Sequence, residues 1–248
     1  MAKPKRVGLI GAGAIGTVLA EAIQRELIIC DELVIYDTDL QRAQTLKNKL
    51  QFPIKIVANI DTLIAQKPKV IVEAASQQAI TEYFDKLLTS NIDIIVMSTG
   101  ALLNLGTGSP HIHFPSGAIG GLDALSSATL AGIDEITLTT HKPPKTLGQN
   151  NTQEELIIYE GYAKEAAQRF PKEMNVAATL ALTVKPAKVK VQVISDPKIK
   201  RNTHKINIKW PYGEMQLQFA NEPHPDNPHT SALAAWSAIN LLKNLLET

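Results

Sequence analysis

The sequence predicts an α/β protein: a parallel sheet covered on both faces, then a smaller α+β unit, with a C-terminal helix that returns to the first. Short apolar runs alternate with amphipathic stretches through the first hundred residues, which implies β-α repetition. After about Pro115 the runs give way to strands that alternate with period 2. The last stretch is an amphipathic segment that must bury one face elsewhere. A chain of 248 residues, 44% hydrophobic, has room for more than one core. Its 25 basic and 24 acidic side chains leave a charge of +1, so there is no general pull toward nucleic acid or an anionic membrane. Cys30 is the single cysteine and cannot close an internal disulfide, which fits a reducing cytoplasm.

Arg6 to Ile10 is a short apolar run ending in glycine, and Ile15, Val18, Leu19, Ala22 and Ile23 then follow helical spacing. Leu33–Tyr36 is the second strand and Leu40–Leu50 the next helix. Ile54–Val57 reads as a third strand, with Asn59 or Asp61 placed to cap a short helix that ends before Pro68. Val70–Val72 is the fourth strand, followed by a helix bearing Ile80, Phe84 and Leu87, and Ile92–Met97 is the fifth. Ile94 to Leu122 carries no formal charge and could span a bilayer by length. Pro110, Pro115 and several glycines make it a cleft lining rather than a lipid-facing helix.

Beyond Pro115, Gly117–Ala131 reads as helix, Glu135–Thr140 and Leu156–Tyr159 as strands, and Tyr162–Phe170 and Val176–Val184 as helices. Lys188–Ile194, His204–Trp210 and Glu214–Phe219 alternate as strands, the last two joined at Pro211-Tyr212-Gly213 as a hairpin. Pro223–Pro228 reads as a proline-rich loop, and Thr230 or Ser231 caps the terminal helix. The expected division is residues 1–116 with 230–248, and 117–229.

Gly11-Ala12-Gly13-Ala14-Ile15-Gly16 lies between the first strand and the first helix. Gly11 permits a tight turn, Gly13 lets a pyrophosphate approach the backbone, and Gly16 allows close helix–strand packing. The N–H groups at Ala14 and Ile15 open the helix toward an anion. Asp37 ends the second strand, ~20 residues on, where a carboxylate accepts ribose hydroxyls and repels a 2′-phosphate. The pattern is that of a Rossmann-type domain, favouring NAD, with NADP as the alternative. An ordinary glycine turn and a strand-end aspartate are the plainer reading.

Several further strings resemble the L-aspartate dehydrogenase family and run across nearly the whole chain: Val72-Glu73-Ala74-Ala75-Ser76-Gln77-Gln78, Met97-Ser98-Thr99-Gly100-Ala101, Pro115 to Asp123, Phe170-Pro171, Asn175-Val176-Ala177-Ala178-Thr179-Leu180, and Asn227-Pro228 before Thr230-Ser231. The resemblance implies NAD(P)-dependent oxidative deamination of L-aspartate to iminoaspartate, which hydrolyses to oxaloacetate and ammonia. It also implies a route into NAD biosynthesis and, commonly, a homodimer. Cofactor contacts carry over to Ala75, Ser76, Ala118 and Asn175, and the catalytic histidine to His204. The interval between Ser98 and Gly117 is shorter than the family's full helix and strand, which bears on whether the sheet keeps a sixth strand.

Parity supports His204 independently, because positions 204, 206, 208 and 210 share one face with Ile206, Ile208 and Trp210. A general base for the amine is expected to titrate near neutrality. A hydrogen-bonded core histidine with no chemistry is the competing reading. Substrate carboxylates need cationic or N–H partners, for which Lys142, Lys145 and Arg201 are candidates only, against solvated surface charge for each. His111 and His113 share a strand face without a third ligand, His224 and His229 have no ligand spacing, and His141 follows a strand end, so no metal is expected. Cys30 reads as an inert thiol. Two other functions stay open: a homoserine-dehydrogenase-like oxidoreductase of another small acid, and a dinucleotide-sensing module without turnover.

Overall fold

The structure, a computed structural model, describes residues 4–171, 174–224 and 227–247. Met1–Lys3, Lys172, Glu173, Pro225, Asp226 and Thr248 lie outside it, as do the side chains of residues 223–230, His224 and His229 among them. The chain divides into two compact units, residues 1–115 with 235–248, and residues 116–234.

In the first unit the elements run β1 (Arg6–Ile10), α1 (Ala14–Gln24), β2 (Glu32–Tyr36), α2 (Leu40–Lys49), β3 (Ile54–Ile56), α3 (Ile60–Ala65), β4 (Val70–Glu73), α4 (Gln77–Thr89) and β5 (Asp93–Val96). A 3-10 turn at Thr99–Ala101, a four-residue α5 (Leu102–Leu105) and β6 (Ile112–His113) follow. The strands form one parallel sheet in the order β3-β2-β1-β4-β5-β6. This is the order of a dinucleotide-binding sheet, whose chain reverses direction between β1 and β4 and leaves a crevice at the carboxyl ends. Leu9, Leu33, Ile35, Ile71, Ile94 and Ile95 are fully buried, as strands sandwiched by helices require. Asp39, Asn59 and Ser76 cap α2, α3 and α4 by accepting the N–H of Arg42, Thr62 and Ala79. The sixth strand survives the shortened interval. Its two residues pair with Ile94 and Ile95, so the loss falls on the crossover helix rather than on the sheet.

The second unit contains α6 (Leu122–Thr129), β7 (Glu135–Lys142), β8 (Leu156–Tyr162), α7 (Ala163–Arg169), α8 (Asn175–Thr183), β9 (Lys190–Ser195), β10 (Asn202–Trp210), β11 (Gly213–Asn221), β12 (Pro223–His224) and β13 (Asn227–Ser231). Its main sheet has the order β11-β10-β7-β9-β8, with β7 and β9 parallel and the other neighbours antiparallel. One face buries Ile136, Leu138, Val191, Val193, Ile206 and Ile208, while Lys205, Asn207 and Lys209 point the other way and are exposed.

Two sequence expectations are corrected here. The helix expected over Gly117–Ala131 begins only at Leu122, because Gly117 and Gly121 take left-handed φ of +67° and +69°. The expected Pro223–Pro228 loop is instead a short antiparallel ladder, with Pro223 opposite Ser231 and His224 opposite Asn227. Ser231 Oγ accepts the N–H of Leu233 and opens α9 (Ala232–Glu247), which from Ala235 onward belongs to the first unit. There Lys69 Nζ donates to the Leu246 carbonyl, and Leu242 and Leu246 are buried.

Candidate active site

The loop after β1 is shaped by what its glycines lack. Gly11 has a φ of +96°, and a Cβ there would stand 2.8 Å from the Ala74 carbonyl oxygen. A Cβ on Gly16 would collide with the Gly11 carbonyl oxygen, which is what lets α1 start so close to its strand. Gly13 differs: a Cβ would meet nothing within 4 Å. Gly13 also caps α1 without any side-chain hydrogen bond, whereas α2, α3 and α4 are capped by side chains. The first-turn N–H groups beginning at Ala14 and Ile15 thus have no side-chain cap at the positive end of the helix. A pyrophosphate fits these residues.

Asp37, at the end of β2, has a mostly buried carboxylate whose oxygens are both engaged. Oδ2 accepts the Ala12 N–H at 2.7 Å and Oδ1 accepts the Asp39 N–H at 2.8 Å. It thus locks the glycine loop to the β2–α2 loop, a task the sequence reading missed, and each oxygen keeps a lone pair for a ribose hydroxyl. The sequence shows no base directly after Asp37. The structure nevertheless brings the Arg42 guanidinium to 3.9 Å from its carboxylate, because the first turn of α2 folds back over it.

Ala75 and Ser76 lie in the loop after β4, next to the glycine loop, since β1 and β4 pair. They are tied down by Glu73, which is fully buried. Its carboxylate accepts the Ala75 N–H at 2.8 Å, the Ser98 hydroxyl at 2.9 Å and the Ser98 N–H at 3.0 Å. Burial pushes this carboxyl above its ordinary range, against the pull of those hydrogen bonds. Glu73 holds the loops after β4 and β5 together, a role visible in the sequence only as a charge closing an apolar strand.

In the second unit the apolar face of the main sheet ends in a polar corner. His204 is 4% exposed and sits opposite Thr140 on β7. Its Nδ1 lies 3.0 Å from Thr140 Oγ1, which leaves Nε2 outside that bond. One step further along the strands come Asn202 on β10 and Lys142 on β7, both buried. Asn202 is paired with Asn221 on β11, whose amide donates to the Ala118 carbonyl at 2.8 Å. Ala118 is thereby fixed beside the corner, and Asn175 is the first residue of α8. Asn202 Oδ1 is buried without a donor, at a cost of about 1–3 kcal/mol.

Electrostatics in this corner correct one expectation. His204 does not titrate near neutrality: burial, and then the Lys142 ammonium, lower it to about 3. Lys142 is likewise no surface charge. Lys145 and Arg201 are exposed, and Arg201 pairs with Glu222 at 3.6 Å.

The remaining groups stand apart. Asp93 Oδ1 is 3.0 Å from both His111 Nδ1 and His113 Nε2, a third partner that the sequence reading did not find. His141 Nδ1 lies 3.2 Å from Asp196 Oδ2. Among the described residues, one trio brings a metal-ligating atom from each member within 4.8 Å: His141, Glu155 and Asp196. Burial pushes the Cys30 thiol up to about 11, far from a reactive thiolate. No helix among the described residues is long and apolar enough to cross a membrane.

Comparison with known proteins covers both units. A family model described as aspartate dehydrogenase, C-terminal, matches residues 123–245, and one described as homoserine dehydrogenase, NAD binding domain, matches residues 11–109. L-aspartate dehydrogenase of Archaeoglobus fulgidus is 40% identical over 252 residues, covering 97% of this chain and 98% of that protein. The protein of the same name from Methanothermobacter thermautotrophicus is 35% identical over 251 residues, covering 97% and 96%. The crystal structure of aspartate dehydrogenase from Thermotoga maritima superposes with a TM-score of 0.78 at 30% identity, covering 98% of this chain and 97% of that one. A myo-inositol dehydrogenase from Corynebacterium glutamicum, at 13% identity and a TM-score of 0.55, shares the fold alone. The likeness thus takes in the glycine loop and the polar corner alike, and the chain belongs to the aspartate dehydrogenase family, oxidoreductases served by a nicotinamide dinucleotide.

Proposed function

We propose that the protein catalyses the NAD(P)-dependent oxidative deamination of L-aspartate to iminoaspartate, which hydrolyses to oxaloacetate and ammonia. The observation that carries this reading is the pairing, in one polar corner, of a buried imidazole with a buried ammonium. His204 supplies a proton acceptor for the amine, and Lys142 a cation for a carboxylate.

The residues divide the work as follows. Gly11, Gly13 and Gly16 shape the loop for the pyrophosphate, Ala14 and Ile15 offer N–H groups, and Asp37 receives the adenosine ribose. Ala75 and Ser76 are further cofactor contacts, and Ala118 and Asn175 serve the nicotinamide side. When bound, the dinucleotide supplies the two-electron acceptor. NAD is the preferred coenzyme in this reading because Asp37 disfavours a 2′-phosphate, and the nearby Arg42 admits NADP.

His204 acts as the base. With its Nδ1–H donated to Thr140, Nε2 presents a lone pair to the substrate amine. Desolvation keeps the ring neutral, so this lone pair is available across the working pH range. A substrate carboxylate against Lys142 counters the ammonium that helps depress His204, so substrate binding strengthens the base. Once the imidazolium has passed that proton to solvent, the same imidazole is again neutral and activates water for hydrolysis of the imine. The proposal includes a cytoplasmic homodimer whose product is available to NAD biosynthesis.

The test is a substrate panel, L-aspartate, L-homoserine and other small amino acids, with each coenzyme, read as nicotinamide absorbance. A rise with L-aspartate well above the others supports the reading. A rise only with another acid moves the assignment to a related oxidoreductase, and coenzyme binding without turnover makes the protein a sensor.

A further inference from the structure

Asn202 carries, among the described residues, a buried side-chain oxygen with no hydrogen-bond partner. The residue opens β10 and shares its buried face with His204, two positions on. On one side it pairs with Asn221, which is already committed to the Ala118 carbonyl. On the other it lies level with Lys142, both one step beyond the Thr203–His141 pair. A buried amide whose acceptor has no donor is a poor choice for packing alone, because an aliphatic side chain of similar size fills the space without the desolvation cost.

The missing partner has to be a donor small enough to enter this corner. Aspartate carries two carboxylates, which only accept, and one amino group, which donates. That amino group must come to His204 although Lys142 repels an ammonium, so an acceptor is needed beside the imidazole. Asparagine supplies one without charge. An aspartate at the same place would pair with Lys142 and take that cation from the substrate.

We propose that Asn202 is the amine-recognising residue of the substrate site, its Oδ1 accepting a hydrogen bond from the substrate's amino group and so presenting that group to His204. The inference rests on the aspartate reading and adds to it the residue that separates an amino dicarboxylate from a plain one.

The experiment compares L-aspartate with succinate, the same dicarboxylate lacking the amine, in the wild type, Asn202→Ala and Asn202→Asp. Asn202→Ala is expected to lower kcat/KM for L-aspartate about 10- to 100-fold, the worth of one hydrogen bond to a charged group. Competitive inhibition by succinate should stay within about threefold of wild type. Asn202→Asp keeps an acceptor but draws on Lys142, so it should weaken both ligands together and preserve their ratio. NAD binding by each variant serves as the control for folding. If Asn202→Ala weakens aspartate and succinate equally, or leaves aspartate untouched, the proposal is overturned. Should that variant fail to fold, Asn202→Asp decides alone, and loss of the aspartate-to-succinate ratio overturns it. Failure of the wild type to oxidise L-aspartate with either coenzyme removes the aspartate reading, and the Asn202 role with it.

Discussion

In the first unit the site is defined by side chains that are missing: Gly11 and Gly16 let the backbone pack where a Cβ would collide, and Gly13 leaves open space at the start of α1. In the second unit the site is defined by side chains set where they are costly, with His204, Thr140, Lys142 and Asn202 all buried on a face that is otherwise apolar. A site made of backbone recognises what many substrates share, a pyrophosphate, and tolerates changes in the side chains around it. A site made of buried polar groups recognises one arrangement of charge, and each member depends on its neighbours. Reaction specificity should therefore reside in the second unit, with affinity for the pyrophosphate and adenosine ribose in the first.

Replacing His204 by alanine would test that division most severely. The rate should fall about 10²–10⁴-fold while NAD affinity, measured by titration, stays near wild type. A loss of NAD affinity of the same size would break the division. Lys142→Met keeps the length and removes the charge. It should raise KM for L-aspartate and lower kcat/KM about 10- to 100-fold, again with NAD binding intact.

Within the first unit, the glycines should separate. Gly13→Ala adds a methyl group to open space at a φ of −77°, so thermal stability should hold while NAD binding weakens about tenfold or more. Gly16→Ala forces a clash with the Gly11 carbonyl and should lower the melting temperature as well. A smaller effect is expected at Arg42: Arg42→Ala should reduce the NADP-to-NAD ratio of kcat/KM a few-fold, and an unchanged ratio would leave NADP without its proposed partner.

The pH dependence sharpens the comparison further. His204 is held near 3 in the folded protein against 6.5 for an unperturbed histidine. Between those values the unfolded chain takes up a proton that the folded chain refuses. The stability contributed by the neutral, buried ring is full above 6.5 and drains away as pH falls toward 3, at about 1.4 kcal/mol per pKa unit of difference. Denaturant melts across that window should show a shallower acid loss in His204→Gln than in the wild type.

Much of this was legible from residues alone because it is local. Strand and helix periodicities marked nearly every element of the first unit, and the parity of Ile206, Ile208 and Trp210 placed His204 on the inner face. Errors arose where backbone conformation or long-range pairing overrode pattern. Left-handed glycines shortened α6, and ladder partners turned the proline-rich loop into β12 and β13. A two-residue β6 needed its neighbour β5 to exist at all.

The order of the elements, the glycine loop with its acidic partner, and the inward parity of one histidine were set by sequence, since each depends on spacing within a few residues. The chemistry around that histidine was decided only by the tertiary fold. Thr140 reaches His204 across 64 residues of chain, and Glu73 reaches Ser98 across 25. Burial and charge at such places depend on which strands lie side by side, and local patterns carry no record of that pairing.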